Sequence, residues 1–305
     1  MPLAPIRPGP RALVAVLTLV LLAACGAPAR VPAPGGVAPS SGADAPAQQV
    51  GFEQLERQFG ARLGVYAVDT ATGREVAYRA DERFAYASTH KVFSAGEVLR
   101  RTPLRELGRT LTFRRSDLVA GSPISEQHVD TGMTLRAVLD AALRYSDNTA
   151  ADLLFTQLGG PAGLASALRA IGDSTTHVDR IEPELNLTDP GDIRDTSTPR
   201  AMAATLRAFT LGPVLPQDKR TLLVDFMRAN TTGNSLIRAG APAGWPVADK
   251  SGTADHGIRN DIGLVWPPNR APIVLVVLSA RPAKDAPHDD ALIARATTVA
   301  LTAFR

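Results

Sequence analysis

Strand-like segments stand at both ends of this chain, and helical ones fill its middle. Residues 62–79 (RLGVYAVDTATGREVAYR) read as two strands around the turn residues Asp69, Thr70 and Gly73. Near the other end, residues 250–254 (KSGTA), 261–267 (DIGLVWP) and 272–280 (PIVLVVLSA) read as three more, with a closing helix over 289–304. Between them, helical spacing is expected over 88–100, 134–146, 148–159, 162–172 and 200–212, and a short amphipathic helix over 51–60 precedes the first strand. Strands from both chain ends can pair into one antiparallel sheet flanked by helices, leaving the middle as a mainly helical lobe. The expectation is a two-lobed α/β fold with a cleft between sheet and helices, where ligand sites tend to sit.

The chain has 305 residues, 45% hydrophobic and 21% charged, enough for a real core. Its formal net charge is +3, and two positive charges, Arg7 and Arg11, lie ahead of an apolar run at residues 12–24. The rest is close to neutral with no long basic block, so nucleic acid is not an expected partner. The apolar run is too short to span a bilayer comfortably but has signal-peptide length. It ends in LLAAC, which resembles the bacterial lipoprotein signal, with cleavage after residue 24 and lipid on Cys25. Cys25 is the only cysteine, so no internal disulfide forms. Residues 25–49, rich in Pro, Gly, Ala and Ser, are expected to be a tether, and residues 50–305 the folded domain. The reading is therefore an exported protein anchored to a membrane through Cys25.

Four short motifs carry chemistry. YASTHK (86–91) places Ser88 three residues before Lys91, at the start of a predicted helix where free N–H groups favour developing negative charge. SDN (146–148) lies between two predicted helices, EPELN (182–186) in a loop rich in Pro, Gly and Asp, and KSG (250–252) at the opening of a strand. Each alone is equally a cap, a turn, a polar loop or a surface lysine. All four in this order, on these element types, are hard to obtain by chance.

Together they resemble the class A serine β-lactamases, whose S-x-x-K, S-D-N and K-T-G set they reproduce with serine for threonine in the last. The resemblance covers the whole stretch from about Val50 and includes RIEPELN and GDIRDTSTP, similar to the two ends of that family's Ω-loop. It implies Ser88 as nucleophile, with Lys91, or Glu182 acting through water, as the base that activates it; the sequence leaves both open. It implies the backbone N–H groups of Ser88 and Thr253 as the oxyanion hole, and Ser146 as proton relay to the leaving nitrogen, assisted by Lys250. Asn148 would bind the substrate's side-chain amide, while Ser251, Thr253, Lys250 and Arg259 would bind its carboxylate. Glu182 and Asn186 would hold the deacylating water, Arg180 and Asp195 would close the loop, and the Glu182–Pro183 bond is a candidate for cis.

The five histidines, His90, His128, His177, His256 and His288, show no metal-ligand spacing and are expected at the surface or in packing; no metal or other cofactor is needed. Gly121 falls where many relatives keep an aromatic residue at the cleft rim, and Ala87 and Ala254 where some carbapenem-hydrolysing relatives bridge two cysteines. The expected activity is hydrolysis of penicillins and cephalosporins by a monomer, giving antibiotic resistance. The rivals are a penicillin-binding DD-peptidase, against which EPELN argues, and a non-catalytic lipoprotein module, against which the full catalytic set argues.

Overall fold

The computed structural model describes residues 44–305. The expected signal peptide, Cys25 and most of the tether fall outside the described residues. No helix among the described residues is long and apolar enough to cross a membrane.

The strands, in chain order, are β1 (Arg62–Asp69), β2 (Glu75–Tyr78), β3 (Phe84–Ala85), β4 (Thr110–Leu111), β5 (Met133–Thr134), β6 (Thr196–Ser197), β7 (Val247–Ala254), β8 (Ile258–Val265) and β9 (Ile273–Ala280). The helices are α1 (Asp44–Phe59), α2 (Lys91–Arg101), α3 (Leu135–Arg144), α4 (Asn148–Leu158), α5 (Gly160–Ala170), α6 (Pro199–Thr210), α7 (Gln217–Arg228), α8 (Ile237–Gly240) and α9 (Asp290–Thr302).

Five strands form one antiparallel sheet in the order β2-β1-β9-β8-β7, so the last strand of the chain pairs with the first, Val65 opposite Val277. The sheet sits between helices on both faces, which is why β9 is apolar at nearly every position. Leu275 and Val277 face a cluster with Leu63, Val65, Phe52 of α1 and Ile293, Leu301 and Phe304 at the C-terminus. Val274, Val276 and Leu278 face the other way, into a core shared with Met202 and Leu206 of α6 and with the middle helices. The two short pairs, β3 with β6 and β4 with β5, tie the helical lobe to its connections. The two-lobed α/β architecture expected from the sequence is the one observed.

α2 occupies the centre of the helical lobe. Its Val92, Phe93, Ala95, Val98 and Leu99 are all buried, and it packs against α3, α4, α5, α6 and α7. A residue just ahead of such a helix is held by the best-packed part of the molecule.

Two expectations need correction. α1 begins at Asp44, inside the stretch expected to be tether, because a proline in the first helical turn (Pro46) gives up no intrahelical hydrogen bond. α7 has no counterpart among the expected elements, although Leu223, Phe226 and Met227 keep helical spacing and are buried.

Candidate active site

The turn before α2 is a short 3-10 helix, Ala87–His90, which continues directly into the α-helix. Ala87 adopts a left-handed φ of 49°, an unfavourable conformation for a residue with a Cβ. The turn is fastened by Thr89 Oγ1 donating to Tyr86 O and by the amide of Tyr86 donating to Asp195 O. Ser88 is thereby presented at the helix entrance with its hydroxyl 3.4 Å from Glu182 Oε1, a long contact of the kind that tightens when substrate is present.

Lys91 lies one helical turn on and is fully buried. Its ammonium meets three oxygens: Glu182 Oε1 at 3.0 Å, Ser146 O at 2.8 Å and Asn148 Oδ1 at 2.6 Å. These use all three N–H groups of an ammonium. Burial alone would raise the Glu182 carboxyl, but the Lys91 charge beside it prevails and holds it down at about 2. Glu182 is thus a permanent carboxylate at neutral pH. Its Oε2 accepts from Asn186 Nδ2 at 2.5 Å, and the Glu182–Pro183 bond is cis.

The loop carrying Glu182 runs through residues 171–195 with a single 3-10 turn, Glu184–Asn186. Its neck is closed by Arg180 Nε donating to Asp195 Oδ2 at 2.6 Å, and Arg180 Nη1 donates to Leu187 O. Asp195 Oδ1 also accepts from Tyr86 Oη and from the amides of Asp179 and Arg180. The same aspartate therefore holds the loop and touches the turn that carries Ser88.

SDN forms the opposite wall. Ser146 takes a φ of 57° and places its hydroxyl 2.9 Å from Lys250 Nζ, which donates to it. Asp147 caps α4 by accepting from Ala150 N, and its carboxylate also accepts from Ile124 N, Ser125 N and Ser125 Oγ. Its role is structural, and the helix-cap reading of SDN is correct for this one residue. Asn148 is committed at both ends: Oδ1 takes Lys91, and Nδ2 donates to Ala120 O at 2.7 Å. Gly121, with a φ of 81°, sits against it, and a Cβ there would lie 3.0 Å from Asn148 Nδ2. The residue expected to bind the substrate amide thus first braces the site.

β7 supplies the third wall. Lys250 is buried, and burial together with the Lys91 charge lowers it to about 7. Gly252 lets the strand approach: a Cβ there would lie 3.0 Å from Tyr86 O and 3.2 Å from Ser88 N. Thr253 is exposed on the same strand, beyond Gly252, and Ser251 Oγ is 2.6 Å from Thr232 Oγ1. Thr253 and Arg259 are register partners across β7 and β8, and Arg259 Nη1 donates to Thr253 Oγ1 at 2.9 Å. Arg259 Nε donates to Asp290 Oδ1 at 2.6 Å, so its charge is shared with the first residue of α9.

Ser88, Lys91, Ser146, Asn148, Glu182, Asn186 and Lys250 are thus joined by direct contacts, while Ser251, Thr253 and Arg259 lie beyond Lys250 along β7 and β8. Four residues that touch it were not singled out by sequence: Tyr86, Asp147, Asp290, and Asp152, whose Oδ1 accepts from the Glu182 amide at 3.0 Å. Only Asp147 carried a legible signal, as an N-cap. His90 is a packing residue as expected, its ring stacked 5.1 Å from that of Phe155, but the packing puts Nε2 only 4.0 Å from Glu182 Oε1. Burial keeps that ring in its neutral form. Among the described residues no cluster has the makings of a metal site.

Residues 49–304 match the model of the Beta-lactamase enzyme family. A beta-lactamase of Bacillus amyloliquefaciens is 58% identical over 250 residues, 82% of each chain. One from Mycobacterium tuberculosis (strain ATCC 25177 / H37Ra) is 47% identical over 292 residues, 94% of each. The crystal structure of a class A beta-lactamase from Clostridium kluyveri DSM 555 superposes with a TM-score of 0.84 at 52% identity, covering 85% of this chain and 98% of that one.

Proposed function

The chain belongs to the class A β-lactamase family and hydrolyses β-lactams, conferring antibiotic resistance, and we propose that it does so through an ester on Ser88 that Glu182 resolves. The observation that carries this reading is the Ser88–Glu182–Lys91 arrangement: a hydroxyl 3.4 Å from a carboxylate that a buried ammonium, 3.0 Å away, keeps charged. Because the N–H groups of Lys91 are spent on three oxygens, the geometry favours Glu182 as the base for acylation as well as deacylation.

In this mechanism Ser88 Oγ attacks the lactam carbonyl and its proton passes to Glu182. The oxyanion is held by the N–H groups of Ser88 and Thr253, each such donor contributing roughly 10²–10³ in rate. The C–N bond then breaks, the nitrogen takes a proton from Ser146, and Ser146 recovers one from Lys250. The proton on Glu182 is lost to solvent as Lys250 regains its own, so that Glu182 is a carboxylate again. Glu182, with Asn186 beside it, next deprotonates a water that attacks the ester, and Ser88 regains its proton. Lys250, Ser251, Thr253 and Arg259 bind the substrate carboxylate and Asn148 its side-chain amide. Penicillins and cephalosporins fit these requirements.

Every residue in this scheme comes from one chain, so the scheme requires no second copy. The basic, then apolar leader ending at Cys25 supports export and a lipid anchor.

Turnover of benzylpenicillin by the soluble part, followed with intact mass, tests the scheme. The parent is expected to turn over without a lasting adduct. Glu182→Ala is expected to acylate more slowly, with Lys91 as the remaining base, yet to accumulate a penicilloyl adduct on Ser88 because its deacylation is lost. A lasting adduct on the parent would instead indicate a penicillin-binding peptidase.

A further inference from the structure

His90 closes the 3-10 turn that carries Ser88. Its ring is buried between Phe155 of α4, stacked at 5.1 Å, and Tyr86, tilted at 5.7 Å. Neither ring nitrogen has a hydrogen-bond partner among the described residues. A neutral imidazole always carries one N–H, and a buried donor without an acceptor is destabilising. Phenylalanine would fill the same space with no polar atom to satisfy, so packing alone does not account for a histidine here. A carboxylate oxygen lies just out of reach. Glu182 Oε1 is 4.0 Å from Nε2, and it is the same oxygen that faces Ser88 Oγ at 3.4 Å and Lys91 Nζ at 3.0 Å.

We propose that His90 is a positioning residue for Glu182, worked by its own proton: the neutral ring leaves Oε1 to Ser88 and Lys91, and the imidazolium takes Oε1 and withdraws the base from the nucleophile. This rests on the reading of Glu182 as the general base.

A separation of 4.0 Å is too long for a hydrogen bond, and closing it by about 1 Å makes one. The ring is held by stacking, which lets it slide in its own plane, and by no hydrogen bond that would fix it. Protonation puts an N–H on both nitrogens and a second cation beside a carboxylate that Lys91 already holds. The charge-assisted bond then formed shortens the gap between Nε2 and Oε1. Oε1 is drawn from Ser88, whose contact is already long, and a carboxylate paired with two cations is a weaker base. Oε2 stays with Asn186, so the carboxylate is turned rather than released.

The groups around the ring set the pH range. Burial comes first and lowers its ionisation below the ordinary 6.5; Glu182 opposes this, Lys91 adds to it, and Asp195 opposes it. α4 also brings Asp152, whose Oδ1 accepts from the Glu182 amide. Tyr86, donating to Asp195, stays a neutral phenol. The charges on the strands packed against the turn are engaged elsewhere. On β7, Asp249 meets Arg238 and Lys250 meets Ser146; on β8, Arg259 meets Asp290 and Asp261 accepts from the Ile237 amide. His90 is therefore neutral at pH 7 and gains its proton on the acid side.

The test is the pH dependence of kcat/KM for benzylpenicillin between pH 4 and 8 in the parent, H90F and H90Q, with the His90 ring followed by NMR in the parent and E182Q. The parent's kcat/KM is expected to fall about tenfold for each pH unit below the midpoint at which the ring takes its proton. H90F and H90Q, each scaled to its own maximum, are expected to lack that limb, because Glu182 itself stays a carboxylate down to about 2. Lys250, lowered to about 7, acts on the alkaline side of the maximum in all three enzymes. In E182Q the ring's midpoint should move to lower pH, since the carboxylate that favours the cation is gone. If H90F does not fold, the H90Q profile decides. An acid limb that superimposes on the parent's, a ring still neutral at pH 4, or a midpoint that E182Q leaves unmoved overturns the proposal. Glu182→Ala run in parallel separates the two readings. If it accumulates ester while the His90 tests fail, only the His90 assignment falls. If it accumulates none, the role of Glu182 itself is wrong.

Discussion

At the scale of single residues, chemistry here depends on charges held where water cannot screen them. Lys91 and Glu182 are both buried, and removing one partner of such a pair costs about 3–5 kcal/mol when the other charge is left stranded. Lys91 keeps Ser146 O and Asn148 Oδ1 as partners, which lessens that cost in Glu182→Ala. Lys250 is the group whose charge changes in the working range. Its ordinary value of 10.5 is lowered to about 7 by burial and by Lys91, so it is an ammonium below that pH and neutral above it. Since an ammonium attracts the substrate carboxylate and the neutral amine does not, kcat/KM for a penicillin should fall as pH rises through about 7. Arginine keeps its charge over the whole range, so Lys250→Arg should move this fall to higher pH even if its absolute activity is lower. Equal profiles for the two enzymes would show that another group is responsible. The identity of these residues was readable from four motifs. Their partners were not, because Asp290 and Asp152 are brought to Arg259 and Glu182 only by folding: 31 residues separate Arg259 from Asp290, and 30 separate Asp152 from Glu182.

At the scale of elements, the site is a junction of the nucleophile turn, the SDN corner, the 171–195 loop and β7, and its precision depends on how closely they approach. Gly252 is where the turn and β7 are tightest. Gly252→Ala would put a methyl group 3.0 Å from Tyr86 O and 3.2 Å from Ser88 N, forcing the strand away from the turn. The N–H groups of Ser88 and Thr253, the proposed oxyanion hole, would then separate. We expect kcat/KM to fall roughly 10²-fold, with stability lowered by about 1–3 kcal/mol from overpacking. Steady-state kinetics and denaturant unfolding check both, and a parental kcat/KM would mean that the strand yields without disturbing the hole. Element positions were largely legible: β1, β2, β9, α4 and α6 fall within a few residues of the expected bounds. α7 was not expected, because its buried Leu223, Phe226 and Met227 follow a charged first turn that obscures its apolar face.

At the scale of the whole molecule, the sheet is completed only when the C-terminal strands return to β1, so the lobes are interleaved rather than serial. Arg270 Nη2, on the β8–β9 turn, donates to Asp69 Oδ2 at the end of β1 and reinforces that return. The proposed lipid anchor on Cys25 makes its own prediction about where the enzyme works. Two acyl chains on Cys25 would anchor it stably, each buried CH₂ adding about 0.8 kcal/mol. Fatty-acid labelling of the full chain in cells should be abolished by Cys25→Ser, with activity released from the membrane fraction. Unchanged fractionation would remove the anchor from the account.

The linear order of residues was enough to determine the alternation of strands and helices, the hydroxyls, amines and carboxylate of the candidate site, and the glycine and proline positions of its loops. These depend on local periodicity, turn chemistry and the spacing of a few functional groups, all of which survive in one dimension. Folding alone decided that Asn148 braces Lys91 before it meets any substrate, that Arg259 shares its charge with Asp290, and that Asp152 stands behind Glu182. Hydrogen-bond partners and shifted ionisation arise from burial and from charges far apart in the chain, and both exist only after the sheet has closed and α2 has been packed at the centre.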